Sequence, residues 1–263
     1  MVSQVMQRLR FLHIPKTAGT TLRDALFRLY PEPRFIFHGN IANDLRRYRA
    51  LSLEQRGSIQ LYFGHSPFRL PIDDLHGVDT ITFIREPVSR VVSWFHHLLE
   101  NKSPEMAGFF PQQQFDLEFL LASGHDALNN LQARYLLGDA DYGYCQNMDD
   151  QRIVDAAVER LAEEMRAFGL AERFDDSLLL FKRTLRWPLP LYRYRNVRNS
   201  SIRLNLDAPQ LRKVRELNRI DIEIYHRAKR IFSERVRRNT FYLLPTRLLF
   251  RAALSRDTRK RPR

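Results

Sequence analysis

A single cysteine, Cys145, occurs in 263 residues, so no disulfide can close within the chain and no cysteine-rich zinc site can form. That thiol reads as a buried or incidental group before a catalytic one. Equally absent is any run of the ~18–20 apolar residues that a membrane-spanning helix needs. Residues 1–10 are polar and pass directly into the first apolar run, which leaves no room for a signal peptide and makes the cytoplasm the expected compartment. Acidic side chains are in short supply: 30 Asp and Glu face 43 Lys and Arg, for a formal charge of +13. Such a chain expects an anionic partner, whether nucleic acid, acidic glycan, nucleotide phosphate or acidic lipid. Zinc-finger spacing, an RNP-like aromatic motif and basic-zipper heptads are all missing, so no nucleic-acid partner is expected. The strict ATP loop, Gly-x-x-x-x-Gly-Lys-Ser/Thr, is missing too.

What the chain does carry begins at Phe11-Leu-His-Ile-Pro-Lys-Thr-Ala-Gly-Thr-Thr-Leu22. An apolar run stops at Pro15 and a small-residue turn follows. Leu22, Ala25, Leu26 and Leu29 then recur at helical spacing up to Pro31. A strand, a turn and a helix start in that order make an anion seat, because the first N–H groups of a helix are unpaired and carry the positive end of its dipole. Lys16 adds a full charge, and Thr17, Thr20 and Thr21 add hydroxyls. The plainer reading is a threonine-capped helix beside an exposed lysine. Further strands over Arg34–Phe37, Ile59–Phe63 and Thr80–Ile84 alternate with helical patterns, one of which opens at Val88. That alternation predicts an α/β fold, a P-loop-like three-layer sandwich whose mostly parallel central sheet is flanked by helices. Ligands of such sheets sit beyond the carboxyl ends of the strands. Lys16, His65 and Arg85 stand at three of those ends.

Later in the chain, Asp149 or Asp150 caps an amphipathic pattern of Ile153, Ala157, Leu161, Met165 and Phe168 that ends before Gly169. Ser177–Phe181 reads as a late strand or a buried helix turn, and one amphipathic helix is expected over Val214–Ile231. Residues 1–240 are expected to form one domain. Residues 241–263 are expected to be a flexible basic tail, whose Leu and Phe side chains could meet an anionic membrane surface.

Ile14-Pro-Lys-Thr-Ala-Gly-Thr-Thr21 resembles the 5′-phosphosulfate loop of PAPS-dependent sulfotransferases, most closely the branch of glycan 2-O-sulfotransferases and their bacterial relatives. Thr82-Phe-Ile-Arg85-Glu-Pro-Val-Ser-Arg-Val-Val-Ser93-Trp-Phe resembles that family's 3′-phosphate segment, in which a strand-end arginine and a serine eight residues later hold the phosphate. Arg85 and Ser93 occupy those positions, with Ser89 a nearer and weaker candidate; Lys16 and Arg85 lie 69 residues apart in the family's order. Asn130–Gly138, Phe168–Ser177, Asn196–Ser200 and the Leu217–Tyr225 helix resemble further segments, so the likeness runs from about residue 10 to 235. It implies PAPS as co-substrate, bound by Lys16, Thr17, Ala18, Gly19, Thr20, Thr21, Arg85 and Ser93. The acceptor it implies is a carbohydrate or glycolipid, acidic ones included, and the chemistry needs no metal. Lys16 would be catalytic as well as binding.

The base implied by the resemblance is His65. Family members carry His-Gly-His-x-x-Phe, whereas this chain has Phe63-Gly64-His65-Ser-Pro-Phe68, so only the second histidine is kept. A neutral imidazole with an ordinary pKa near 6.5 suits a general base for an acceptor hydroxyl. His38 is the reserve, while His13, His96 and His97 are expected in the core or on the surface. Arg134, Arg195 and Arg198 are candidate acceptor contacts through bidentate bonds, and Trp94 and Trp187 are expected in the core. The rival readings are a nucleotide kinase or other phosphoryl transferase, and a non-enzymatic polyanion-binding protein.

Overall fold

The computed structural model describes residues 6–101, 117–138, 148–192 and 205–259. Five strands, β1 (Leu9–Leu12), β2 (Arg34–His38), β3 (Leu61–His65), β4 (Asp79–Ile84) and β5 (Ala167–Leu170), form one sheet in the order β2-β3-β1-β4-β5. Every pairing is parallel. Helices α1 (Gly19–Leu29), α2 (Ile41–Arg49), α3 (Leu53–Ser58) and α4 (Pro87–Asn101) connect and cover the first four strands. α5 (Leu117–Ala122), α6 (Leu131–Leu137) and α7 (Asp150–Glu159) lead to β5, and α8 (Phe174–Leu185), α9 (Ala208–Leu217), α10 (Arg219–Arg238) and α11 (Thr240–Arg259) follow it. A parallel sheet is covered on both faces, which is why all four residues of β1 are buried and its sequence is nearly continuously apolar. The α/β sandwich expected from the alternation of strands and helices is the architecture observed. Among the described residues no helix is long and apolar enough to cross a membrane.

Three local expectations give way to tertiary packing. The α7 periodicity does not carry on to Phe168: the helix ends in a widened turn over Arg160–Glu164, and Ala167–Leu170 pairs with β4 instead. Gly169 is the reason that strand fits, since a Cβ there would lie 2.7 Å from both the Phe83 ring and Ser177 Cβ. The expected Val214–Ile231 helix is two helices, divided at Asn218, whose amide donates to Leu128 O at 2.7 Å and Val214 O at 2.9 Å. Asparagine breaks helices in this way by offering the backbone a competing hydrogen bond. Finally, residues 240–259 are helical rather than a solvated tail. Leu243 and Phe250 are buried, and Arg247 donates to Asp176 of α8 at 2.8 Å, which fixes α11 to the domain. Ser177–Phe181 resolves as helix, within α8.

A buried polar lattice ties the later helices to the exit of β4. Asn130 takes a left-handed conformation (φ 43°) and its Oδ1 accepts from the N–H groups of Ile220 and Asp221, capping α10. In return Asp221 accepts from the N–H groups of Gln132 (2.9 Å) and Ala133 (2.8 Å) at the start of α6. The Gln132 amide then pairs with both backbone groups of Arg85, at 2.9 Å each. Burial pushes the Asp221 carboxyl up, against the pull of Arg90 and of the two N–H donors, and burial pushes Arg90 down to about 10. Removing one member strands the others without water. Asp221→Ala is expected to cost on the order of 3 kcal/mol in a denaturant titration, with the slope unchanged.

Candidate active site

The order β2-β3-β1-β4-β5 puts a switch in winding direction at β1, where the chain crosses to β2 and β3 on one side and later to β4 and β5 on the other. A crevice opens beyond the carboxyl ends at such a switch. Here it is a cleft of about 700 Å³, lined from the exits of four strands: Lys16 after β1, His65 at the end of β3, Arg85 after β4 and Glu172 after β5. A second cleft of about 700 Å³ lies at the opposite end of the sheet, among Arg10, His76, Asp79 and Arg166. It contains none of the loop residues.

The loop between β1 and α1 has a strained backbone. Lys16 (φ 69°) and Ala18 (φ 71°) are both left-handed, one residue apart. Alternating conformations of this kind turn successive N–H groups toward one side, and the start of α1 adds the positive end of its dipole. For residues other than glycine the left-handed conformation costs roughly 1–2 kcal/mol each, strain of the sort held at functional sites. Two bonds sustain it. Thr17 Oγ1 donates to Ile14 O at 2.8 Å, and Arg85 donates from Nη1 to Lys16 O at 3.1 Å. The arginine of one motif therefore braces the loop of the other.

His65 closes the same cleft. Its Nδ1 lies 2.9 Å from the carbonyl of His13, so Nδ1 carries the proton and Nε2 is left with the lone pair. The two imidazoles stack with ring centres 4.3 Å apart. Burial pushes His65 below its ordinary 6.5, aided by the charges of Lys16 and His38 and opposed by the His13 carbonyl. His13 is held well below 6.5 by burial first, then by His65, Lys16 and Arg23. Both rings are thus neutral near pH 7. Gly19 makes room for the pair: a Cβ on it would lie 1.9 Å from His13 Nε2.

Residues 3–129 match the model of a family described as the sulfotransferase family. The chain is also 28% identical over 188 residues to heparan-sulfate 6-O-sulfotransferase 1-B of Danio rerio, covering 59% of this chain and 44% of that protein. Heparan-sulfate 6-O-sulfotransferase 2 of Gallus gallus is 29% identical over 182 residues, with the same two shares. Heparan-sulfate 6-O-sulfotransferase 1 of Homo sapiens is 28% identical over 188 residues, covering 59% of this chain and 43% of that protein. The likeness to the sulfotransferase family thus covers just under half of the chain. The chain spans less than half the length of these relatives, and their names are of the 6-O kind, whereas the resemblance drawn from the motifs pointed to the 2-O branch.

The cleft gathers most of the residues singled out in the sequence. Lys16, Ala18, Gly19, Thr20, Thr21, His65, Arg85, Ser89 and Ser93 all line it. Thr17 does not: its side chain is buried and its hydroxyl is engaged by Ile14, so it serves the shape of the loop. Arg134 is not among the lining residues either, and it pairs with Asp126. Arg195 and Arg198 lie outside the described residues. Trp187 is in the core, donating from Nε1 to the Tyr30 hydroxyl, whereas the mostly buried Trp94 shows one edge to the cleft.

Three lining residues, His97, Glu172 and His13, were not among the expected site residues. His97 follows Ser89 and Ser93 at intervals of four on α4, so helical spacing places all three on one face. Glu172 accepts from Glu86 N–H and from the Tyr225 hydroxyl, contacts that no local pattern announces. His13 was expected in the core or on the surface, yet it follows the end of β1 at Leu12 and lines the cleft. Gly19→Ala tests the pairing: it is expected to push His13 off His65 and lower kcat by roughly 10–100-fold, and the accompanying loss in Tm should shrink when His13 is also replaced by Ala.

Proposed function

We propose that the chain transfers the sulfuryl group of PAPS to a hydroxyl of an acidic carbohydrate, with His65 as general base and Lys16 as the main electrostatic catalyst. The observation that carries this reading is the His65 Nδ1 bond to the His13 carbonyl, which leaves Nε2 as the proton acceptor in the cleft that holds the Lys16 loop.

The residues present fit the co-substrate. The strained Lys16–Ala18 turn, the α1 N-terminus and the Thr20 and Thr21 hydroxyls offer donors for a 5′-phosphosulfate, and Arg85 with Ser93 offers a second anion site for a 3′-phosphate. When bound, PAPS supplies an already activated sulfuryl group on a phosphate leaving group. His65 takes the hydroxyl proton at Nε2. Lys16 and the loop N–H groups neutralise charge on the oxygens around the reacting centre, without reorganising. Arg85 fixes the loop through Lys16 O while reaching toward the phosphate side. Acidic acceptors suit a cleft whose carboxylate, Glu172, already accepts two hydrogen bonds. The relatives' names add heparan sulfate as an acidic polysaccharide of the right class.

Incubation with radiolabelled PAPS and a panel of acidic and neutral glycans tests this. Label is expected in an acidic glycan and in no nucleic acid. Phosphate transfer from ATP with no sulfuryl transfer to any glycan would make the phosphoryl-transferase reading the correct one.

A further inference from the structure

Five large hydrophobic side chains are exposed among the described residues, and four of them, Phe241, Leu244, Leu248 and Leu249, belong to α11. Phe241, Leu244 and Leu248 recur at helical spacing along one side, with exposed Pro245 and Ala252 between and beyond them. The other side of the helix is already satisfied. Leu243 and Phe250 are buried, Phe250 meets the Tyr192 ring at 6.0 Å, and Arg183 lies over the Tyr242 ring at 4.8 Å. A helix that is apolar on two sides has two apolar neighbours, and the fold supplies one of them.

Charge decides what the other is. From Thr240 to the last residue the chain has seven Lys or Arg and one acidic residue, Asp257. A second copy of the same face would bring like charges together. A polysaccharide or nucleic acid would meet the arginines but give the leucines nothing to enter. An anionic bilayer accepts both, with apolar side chains at the acyl boundary and basic side chains among the headgroups. We propose that the exposed face of α11 docks the protein on an anionic lipid bilayer, lying in the plane of the interface with Phe241, Leu244 and Leu248 inserted. Arg247 meets Asp176 in the first turn of α8, four residues beyond Glu172 of the cleft, so the docking face is tied to the end of the sheet that carries the cleft.

Co-sedimentation of the full chain with vesicles tests the proposal and requires neither PAPS nor an acceptor, so it succeeds or fails independently of the reaction. Vesicles of equal parts phosphatidylcholine and phosphatidylglycerol are expected to pellet the protein, and vesicles of phosphatidylcholine alone to leave most of it in solution. The double variant Leu244→Ser/Leu248→Ser should lower partition onto the mixed vesicles by on the order of tenfold or more. Both side chains are exposed, so its Tm should match that of the parent protein. Equal pelleting of parent and variant would reduce the contact to charge adsorption and overturn the proposal, as would no pelleting at all. A vesicle-free dimer that the variant abolishes would assign the face to a second copy and overturn it too.

Discussion

Lys16→Ala is expected to lower kcat by on the order of 10²–10³-fold, as removal of a preorganised charge donor does. The substitution is clean because alanine tolerates the left-handed backbone about as well as lysine does, as Ala18 in the same loop shows at φ 71°. Arg85 still bonds to the carbonyl at position 16, so the loop keeps its brace. Folding should therefore be nearly unaffected. A second readout separates loss of charge from loss of shape. Lys16 is one of the groups that hold His65 down, so its removal should move the acid limb of the kcat profile to higher pH. A variant with normal turnover, or one that is slow with an unmoved acid limb, would place the charge elsewhere.

His65→Asn is expected to reduce kcat by roughly 10²–10⁴-fold while nucleotide affinity changes little. Only the neutral ring accepts a proton, and burial lowers the pKa from its ordinary 6.5, so the parent enzyme should stay active below pH 6.5 and fail as pH drops through the lowered value. The sign for stability follows the same direction. Below pH 6.5 the unfolded chain takes up protons on His13 and His65 that the folded chain resists, so stability should decline as pH falls through that window. An active His65→Asn protein would move the base elsewhere, with His13 now the first candidate. His13 replaces His38 in that place because its ring stacks on His65, whereas His38 is a register partner on β2 outside the cleft lining.

Four of the strands and the turn after β1 were legible from local patterning, whereas the pairing of Arg85 with Ser93 came from the family resemblance. A short apolar run ending in Pro or Gly marks a strand exit, and strand exits of a parallel sheet converge. What was not legible depends on contacts between distant residues. Phe168 continues a helical period in the sequence, yet it pairs with β4, and Gly169 lets that strand sit against Phe83 and Ser177. Asn218 lies on the apolar stripe of one apparent helix until its amide meets Leu128, 90 residues away. His13 is one position past β1, and its role depends on Gly19 leaving space and on His65 arriving from another strand. The family pattern named above carries its two histidines in one His-Gly-His element, whereas here the second ring follows the end of β1. For α11, composition alone suggested a solvated tail. Its leucines pack on one side and remain bare on the other.

Two anion sites in one cleft underlie the proposed reaction, and binding of adenosine 3′,5′-bisphosphate in the absence of magnesium tests them directly. The nucleotide is expected to raise the Tm of the parent protein, and Arg85→Ala should remove most of that rise. A protein whose Tm responds only to ATP with magnesium, or whose response to the bisphosphate survives Arg85→Ala unchanged, would contradict the assignment of the cleft.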